Sequence, residues 1–276
     1  MPDARSPGLP AESQGTAPGR GRLAGRRILV VGAGQNDYGE ADPPIGNGRA
    51  MAILFAREGA RVAVADRDRA SAEATAARIA SEGSTAQVVI ADMARPADPQ
   101  AMVDQARTAL GGLDGVVYNV GIAGRHGLDN ATPESWDLVL AVNLRGAMLT
   151  ARAALPILDD GSAIVFTSSV AGIKPGSRIP SYDASKAALG GLMRHVAFEG
   201  AARSIRANIV APGLMDTAFG RAASRARPSR ATVPIPLGRQ GTGWETAYLA
   251  LFLISNEAAY ITGQSFIVDG GLSALR

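Results

Sequence analysis

The chain has 276 residues, of which 46% are hydrophobic, with no cysteine, two histidines and a formal net charge of +3. The lack of cysteine excludes disulfides, thiolate nucleophiles and zinc-thiolate sites, and a multi-histidine metal site is not expected. No apolar run approaches the roughly 18 residues that indicate a transmembrane helix, so we expect one large globular domain and no membrane partner.

The N-terminal residues 1–22 are rich in Pro, Gly, Ser and Ala and show no apolar periodicity, which predicts a disordered tail before a single domain over residues 23–276. Residues 1–27 carry five arginines against Asp3 and Glu12, which accounts for the whole net charge. The remaining body is neutral, so we expect no nucleic-acid partner. The tail has no continuous apolar stretch like that of a secretory signal, and we expect a cytoplasmic protein, with a targeting sequence as the alternative.

Short runs of β-branched residues alternate with alanine-rich helical stretches along the rest of the chain. Seven strands separated by helices predict an α/β fold with one doubly wound, seven-stranded parallel sheet flanked by helices. We find no solenoid-type repeat and no second domain. The predicted strands cover residues 28–31, 61–65, 86–90, 115–118, 163–166, 206–210 and 265–268.

A glycine-rich turn follows the first strand, but it is interrupted. Gly32 and Gly34 follow the strand, and Gly46-Asn47-Gly48 opens the next helix. Together they form a dinucleotide fingerprint, in which backbone amides approach a pyrophosphate. A compact turn would place its next glycine about four residues after Gly32, so residues 36–45 are an insertion that must bulge outward. Which amides touch phosphate stays open, and an ordinary Gly/Pro surface loop is the alternative.

Two carboxylates follow the second and third strands. Asp66 closes the second strand, where a carboxylate accepts both ribose hydroxyls of an adenosine and repels a 2′-phosphate, so we expect NAD as cofactor and NADP as less favoured. The adjacent Arg67 could instead bind that phosphate. Asp92 and Met93 are expected at the adenine, and a helix cap before Pro96 is the alternative for Asp92.

A serine, a tyrosine and a lysine carry the candidate chemistry. Tyr182 and Lys186 lie four residues apart, on one helical face, and Ser169 ends the fifth strand. Lys186 is one of two lysines among 28 basic residues. A compact ammonium can lower the pKa of a neighbouring phenol and hold a ribose hydroxyl, whereas an Arg fork would not fit that task. A surface tyrosine beside a solvated lysine is the alternative.

Taken together, these motifs resemble the short-chain dehydrogenase/reductase family over residues 24–276. The resemblance implies a single Rossmann domain and commonly a homotetramer. Two departures are Val120, where the family usually has alanine, and the insertion in the glycine-rich turn. The matching residues are Gly32 to Gly48, Asp66, Asp92, Asn119-Val120-Gly121, Asn143, Ser169, Tyr182, Lys186, Pro212-Gly213, Ile261-Thr-Gly-Gln264 and Asp269-Gly-Gly271.

The resemblance also implies roles for several of these residues. Asn119, followed by Gly121, lies beside the adenosine ribose, and Asn143 holds a water that passes protons to Lys186. Leu214 and Thr217, after Pro212 and Gly213, hold the nicotinamide amide.

Removing a hydride from an alcohol carbon requires that the hydroxyl proton leave as well. Tyr182 is the expected base; a free phenol titrates near pH 10, and we expect Lys186 and the nicotinamide charge to bring its pKa down. Ser169 would hydrogen-bond the substrate oxygen. We therefore expect NAD(H)-dependent interconversion of a small secondary alcohol and a ketone, in a direction that the sequence leaves open.

Two rival functions remain. A 3-oxoacyl thioester reductase is favoured by the segment 221–230, which holds four arginines in ten residues, and disfavoured by Asp66. That segment should form the substrate lid; it suits a carboxylate, phosphate or coenzyme A thioester, unless its arginines are simply solvated. A non-catalytic dinucleotide-sensing protein is the second rival, although it would have no need of Tyr182. His126 either borders the pocket or is a surface residue.

Overall fold

In the computed structural model, which describes residues 8–275, all seven predicted strands form one parallel sheet. Its strand order is β3-β2-β1-β4-β5-β6-β9, with a separate two-stranded ribbon of β7 and β8. The predicted fold class is therefore confirmed. The strands are β1 Arg27–Val31, β2 Arg61–Asp66, β3 Ala86–Ile90, β4 Gly115–Tyr118, β5 Ala163–Thr167, β6 Arg206–Pro212, β7 Met215–Asp216, β8 Gly241–Thr242 and β9 Ser265–Val268.

Helices cover both faces of this sheet, because right-handed crossovers connect its parallel strands. A π-helical stretch, Ala141–Arg145, joins α5 to α6, and single helical turns lie at Val170–Gly172, Ala201–Arg203, Pro228–Arg230 and Asn256–Ala258. The helices are α1 Ala11–Gln14, α2 Asn47–Arg57, α3 Arg69–Ser81, α4 Asp98–Leu110, α5 Pro133–Leu140, α6 Gly146–Ala154, α7 Pro180–Gly200, α8 Ala218–Ala226 and α9 Gly243–Ile254.

Alternate residues of β1 pack into two different hydrophobic clusters. Leu29 and Val31 join side chains from α4, α6 and α7, whereas Ile28 and Val30 join side chains from α2, α3 and α9. Because side chains alternate along a strand, a sheet covered on both faces needs a continuous apolar run, which explains the β-branched strand sequences.

The strand order reverses at β1, which pairs with β2 on one side and with β4 on the other. At such a switch point the loops after the two strands diverge and leave a crevice at the carboxyl ends, where ligands of doubly wound sheets bind. The Gly32 turn follows β1 and Asn119 follows β4, so the fold places both at this crevice.

The N-terminal segment departs from the predicted disordered tail over residues 8–22. It includes α1, and Ser13 Oγ donates to Glu245 on α9 at 2.9 Å. The Glu58 carboxylate, 1% exposed, accepts hydrogen bonds from the backbone amides of Arg20 and Arg22. Specific side-chain contacts hold this segment across α2 and α9, and composition alone did not reveal them. The first seven residues lie outside the described part of the chain.

Candidate active site

The glycine-rich turn packs with no space for side chains. Gly32 has a φ of +79°, and a Cβ there would lie 2.9 Å from Val120 Cγ2. A Cβ at Gly48 would collide with the Gly32 carbonyl oxygen. The Asn119 Nδ2 donates to that same carbonyl at 3.2 Å. The turn therefore packs tightly against the start of α2, and no side chain covers its backbone where a phosphate could approach.

Gln35 connects the two ends of the insertion by hydrogen bonds. Its Oε1 accepts from the Gly46 amide at 2.8 Å, and its backbone carbonyl accepts from Ser71 Oγ at 2.8 Å. These bonds preserve the strand-turn-helix geometry beneath residues 36–45, as expected from the two flanking glycine pairs. Asp37 and Asp42 are exposed.

The insertion reaches the lid helix α8, a contact that sequence reasoning missed. Glu40 forms ion pairs with Arg225 and, at 3.9 Å, with Arg221. The Tyr38 and Phe219 rings meet edge to face with centroids 5.9 Å apart. A cluster of acids in the insertion opposite a cluster of arginines in the lid was the available signal.

Asp66 bonds to the turn as well as ending β2. Its Oδ2 accepts from the Gly34 amide at 3.0 Å and its Oδ1 from the Asp68 amide at 3.1 Å. The Tyr38 phenol lies within electrostatic reach of both Arg67 and Asp66; burial raises the pKa of Tyr38, and the Arg67 charge opposes that rise. The insertion thus brings an aromatic side chain to the end of β2, where we expect the adenosine ribose.

Asp92 lies in a groove at the carboxyl ends of β2 and β3. Its carboxylate accepts from the Ala94 amide at 3.0 Å, and its own amide donates to Asp98. It does not cap α4, whose N-cap residue is Ala97, so the helix-cap alternative is wrong. The Met93 side chain is 3% exposed and packs in the core, which leaves only its backbone to meet a ligand. The groove is lined by Arg67, Asp68, Ile90, Ala91, Asp92, Arg95 and Asp98.

Ser169, Tyr182 and Lys186 lie together at the carboxyl end of β5. Ser169 follows the strand in extended conformation, and Tyr182 and Lys186 lie on the first two turns of α7. The Lys186 Nζ donates to the Thr167 carbonyl oxygen at 2.9 Å and lies 5.7 Å from the Tyr182 ring centroid.

The electrostatics of Tyr182 differ from our expectation. Burial raises the pKa of the phenol above its usual value, while hydrogen bonding to Ser169 and the charge of Arg230 in the lid oppose that rise. Burial also lowers the pKa of Lys186 to about 8, so this ammonium loses its proton at a lower pH than an exposed lysine does. In the protein alone, the cation that favours ionisation of Tyr182 is therefore the lid arginine, which the sequence did not single out.

Asn143 is fully buried in the π-helical stretch. Its Oδ1 accepts from the Ile122 amide at 2.9 Å, and its Nδ2 donates to the Ile122 carbonyl and to Ser185 Oγ, each at 3.0 Å. The side chain therefore fixes the segment after β4 against α7. Because these bonds occupy the side chain, a water passing protons to Lys186 would have to meet the Asn143 backbone carbonyl. A π-helical insertion is frequent at functional sites because it displaces the backbone locally.

The predicted nicotinamide-end residues follow β6. The Gly213 amide donates to Val268 at 2.8 Å, and the Leu214 carbonyl accepts from Gly241 at 3.0 Å. Thr217 caps α8, its hydroxyl accepting from the Gly220 amide at 3.0 Å. These bonds fix the loop from Pro212 to the lid on the same edge of the sheet as Tyr182.

The geometry fits a dinucleotide. The bare glycine turn leads into α2, and Asn47 at the start of that helix has a buried Oδ1 with no protein partner. Asp66 lies at one end of the crevice, and the Ser169, Tyr182 and Lys186 cluster lies across the sheet edge from it. Within residues 8–275, no cluster of three or more histidine or acidic side chains could bind a metal ion. The same part of the chain contains no helix with the length and apolarity to cross a membrane.

Comparison with known proteins shows which family the chain resembles. A family model described as enoyl-(acyl carrier protein) reductase matches residues 45–273. The chain is 34% identical over 262 residues to 2-(S)-hydroxypropyl-CoM dehydrogenase 3 of Xanthobacter autotrophicus, covering 92% of this chain and 99% of that protein. It is 38% identical over 233 residues to the inactive 2-(S)-hydroxypropyl-CoM dehydrogenase 2 of the same organism, covering 82% of this chain and all of that protein. A crystal structure of a short-chain dehydrogenase from Burkholderia cenocepacia in complex with NADP superposes with a TM-score of 0.81 at 33% identity, covering 92% of this chain and 100% of that one.

A single Rossmann domain with these relatives defines the class of protein as an oxidoreductase of the kind that uses a nicotinamide dinucleotide. The chain belongs to the short-chain dehydrogenase/reductase family, as its motifs predicted.

Proposed function

We propose that the chain is an NAD(H)-dependent dehydrogenase that interconverts a secondary alcohol and a ketone, with Tyr182 as general acid and base. The observation that carries this proposal is the meeting of Ser169, Tyr182 and Lys186 at the sheet edge that also holds the glycine turn. A homotetramer is part of the proposal, measurable by light scattering.

Each residue has a distinct role. The Tyr182 phenolate takes the hydroxyl proton in alcohol oxidation, and the phenol returns it in ketone reduction. Ser169 hydrogen-bonds the substrate oxygen while charge develops on it. The Lys186 ammonium donates to the Thr167 carbonyl. In this proposal it also binds a ribose hydroxyl and exchanges a proton with Tyr182. When bound, the nicotinamide ring supplies or accepts the hydride.

Other residues are proposed to hold the remaining parts of the cofactor. The amides of the glycine turn and the start of α2 would hold the pyrophosphate, and Asp66 the adenosine ribose. Asn119 and Gly121, which follow β4, would line the adenosine ribose, and Leu214 and Thr217 would hold the carboxamide of the nicotinamide. The Asp66 carboxylate favours NAD, although a structural neighbour binds NADP.

A 3-oxoacyl thioester reductase is the second candidate, favoured by the arginines of the lid. The matching family model is described as an enoyl-(acyl carrier protein) reductase, which shares the acyl thioester substrate but reduces a carbon–carbon double bond. A non-catalytic dinucleotide-binding protein is disfavoured by the three intact side chains of the Ser169 cluster, even though one relative is described as inactive.

The test is a screen of secondary alcohols, ketones and 3-oxoacyl thioesters with NAD(H) and NADP(H), followed by nicotinamide absorbance. With the best substrate, Tyr182→Phe should lower kcat by about 10²- to 10⁴-fold because the transferable proton is lost. NAD binding should be nearly unchanged. Tyr260→Phe, at a fully exposed tyrosine, is the matched control. Turnover by Tyr182→Phe within a few-fold of the parent would overturn the assignment.

A further inference from the structure

The four arginines of the lid divide into two pairs with different surroundings. Arg221 pairs with Asp216 at 2.8 Å, and Arg225 pairs with Glu40 in the insertion. These two outer arginines are neutralised by carboxylates and are directed toward the insertion.

The inner pair, Arg227 and Arg230, has no carboxylate partner among residues 8–275. Arg227 Nη1 donates to the carbonyl oxygens of Gly176 and, at 3.0 Å, Ser177. The nearby acid Asp183 is bonded to Ser177 and acts on Arg227 only through space.

Arg230 holds its position through a single nitrogen. Its Nη1 donates to the Gly220 carbonyl and to Ser224 Oγ, each at 2.8 Å. Its Nε and Nη2 make no hydrogen bond in the described chain, yet neither is sealed off from solvent. A guanidinium has five donors, so most of the fork of Arg230 is available to a ligand.

The inner pair lies at the active site. The Gly220 carbonyl that anchors Arg230 is on the first turn of α8, whose cap is Thr217. Arg227 is bonded to the segment between Ser169 and Tyr182, and the charge of Arg230 acts on the Tyr182 phenol. Arg230, which has no ion-pair partner among residues 8–275, therefore lies within electrostatic reach of the Tyr182 phenol, next to an arginine bonded to the loop that precedes α7.

We propose that Arg230, assisted by Arg227, forms an oxyanion subsite that selects secondary alcohols and ketones carrying a carboxylate or sulfonate at their far end. The planar fork of Arg matches such groups with two parallel hydrogen bonds. The Asp216 carboxylate acts on Arg230 only through space and is already paired with Arg221. A partly buried cation without a bonded counter-ion is electrostatically unfavourable, and an anionic substrate would supply that counter-ion. This subsite rests on the proposed function, since it sets the substrate class of the same site.

The experiment compares ligands that differ only in charge. The ratio of kcat/KM for 5-oxohexanoate to that for 5-oxohexanamide is measured at saturating cofactor, with the sulfonate of equal length as a third arm. The parent should prefer both anions to the amide. Arg230→Gln should reduce that preference by about 10- to 100-fold, the range expected for hydrogen bonds to a charged group. Arg230→Lys should keep part of it, and Arg225→Gln, which removes an outer lid charge, should leave the ratio unchanged.

Binding is measured separately from turnover. In the Tyr182→Phe background with NADH bound, calorimetry should give a lower Kd for 5-oxohexanoate than for the amide, and Arg230→Gln should abolish the difference. An equal loss for acid and amide would show that Arg230 acts only through Tyr182 or lid folding, and would overturn the subsite. A parent without preference for either anion, or a Kd ratio unaffected by Arg230→Gln, would do the same. Turnover of the neutral amide tests the proposed function independently, because it needs no anion subsite.

Discussion

The Lys186 ammonium lies close to the space that a side chain at position 121 would need. A Cβ at Gly121 would lie 3.0 Å from Lys186 Nζ, closer than side chains normally approach. The buried ammonium donates to Thr167, and its lowered pKa follows from desolvation of the charged form. The position of the Lys186 ammonium therefore depends on the small residue Gly121, in the loop after β4, as well as on the lysine itself.

We propose that Asp66 sets the choice between NAD and NADP, because its carboxylate bonds to the Gly34 amide and keeps lone pairs free for ribose hydroxyls. Asp66→Ser should weaken NAD binding and relieve repulsion of a 2′-phosphate, so that Arg67 can pair with it. We expect the ratio of kcat/KM for NAD to that for NADP to fall by at least about tenfold, the equivalent of one charge-assisted hydrogen bond. Steady-state kinetics with both cofactors measure this ratio.

The matched control is Asp68→Asn, two residues further along the chain, which keeps the cap of α3 and should leave the ratio nearly unchanged. A parent enzyme that already prefers NADPH would contradict the role given to Asp66.

At the scale of elements, the insertion and α8 contact each other directly. The Arg225 Nη2 donates to the Tyr38 carbonyl at 2.7 Å, next to the Glu40 ion pairs. Tyr38 itself adopts a φ of +53°, which is uncommon for a residue with a side chain and marks a tight turn. The insertion therefore supports the lid helix without displacing the glycine turn beneath it.

Glu40→Gln should loosen this contact, because Arg221 and Arg225 lose a shared acid. Partly exposed ion pairs contribute roughly 0.2–1 kcal/mol, so NAD affinity should fall by less than about tenfold. Calorimetry gives the affinity, and hydrogen exchange should show faster opening of α8 in the variant.

The double variant Asp37→Asn with Asp42→Asn is the control for Glu40→Gln, since both carboxylates are exposed and should not affect the cofactor. A gain in NAD affinity of about a hundredfold on neutralising all three acids would instead identify the insertion as an inhibitory flap, since a carboxylate near the pyrophosphate is strongly repelled.

At the scale of the whole molecule, the N-terminal segment contacts both α2 and α9, which cover the same face of the sheet. The Arg57 guanidinium lies 5.4 Å from the Trp244 ring centroid and donates to the carbonyls of Gly15 and Ala17. Gly243, at the start of α9, abuts the backbone of Ile45 and Gly46 at the end of the insertion. Through Gly15 and Ala17, the N-terminal segment stabilises the packing of α9 against α2.

Glu58→Ala should destabilise the protein, because the carboxylate is buried and accepts from two backbone amides at 2.9 and 3.0 Å. Hydrogen bonds to a charged group contribute about 1.5–3 kcal/mol, which corresponds to a fall in Tm of roughly 3–10 °C for a chain of this size. Differential scanning calorimetry measures it. Glu73→Ala, at an exposed acid with only an i,i+4 partner, should change Tm by about a degree or less. Equal Tm values for the two variants would show that the N-terminal segment contributes no stability.

The sequence by itself determined the sheet and the positions on it of the residues proposed for the site. All seven strands were predictable because a sheet buried on both faces requires uninterrupted β-branched runs. Tyr182 and Lys186 were predictable because residues four apart share a helical face, and Asp66 because a carboxylate at a strand end reaches the crevice. These signals are local, so each can be recognised without knowing how distant segments meet.

Only the tertiary structure decided which distant groups meet. The acids of the insertion and the arginines of the lid indicate opposite charges, but their order in the chain does not show that Glu40 pairs with Arg225 or that Arg230 acts on Tyr182. The N-terminal segment was predicted to be disordered because its composition is poor in large apolar residues, yet buried polar contacts such as those of Glu58 hold residues 8–22 in place. Long-range contacts depend on the position of two backbones in space, and a short sequence window contains no record of that position.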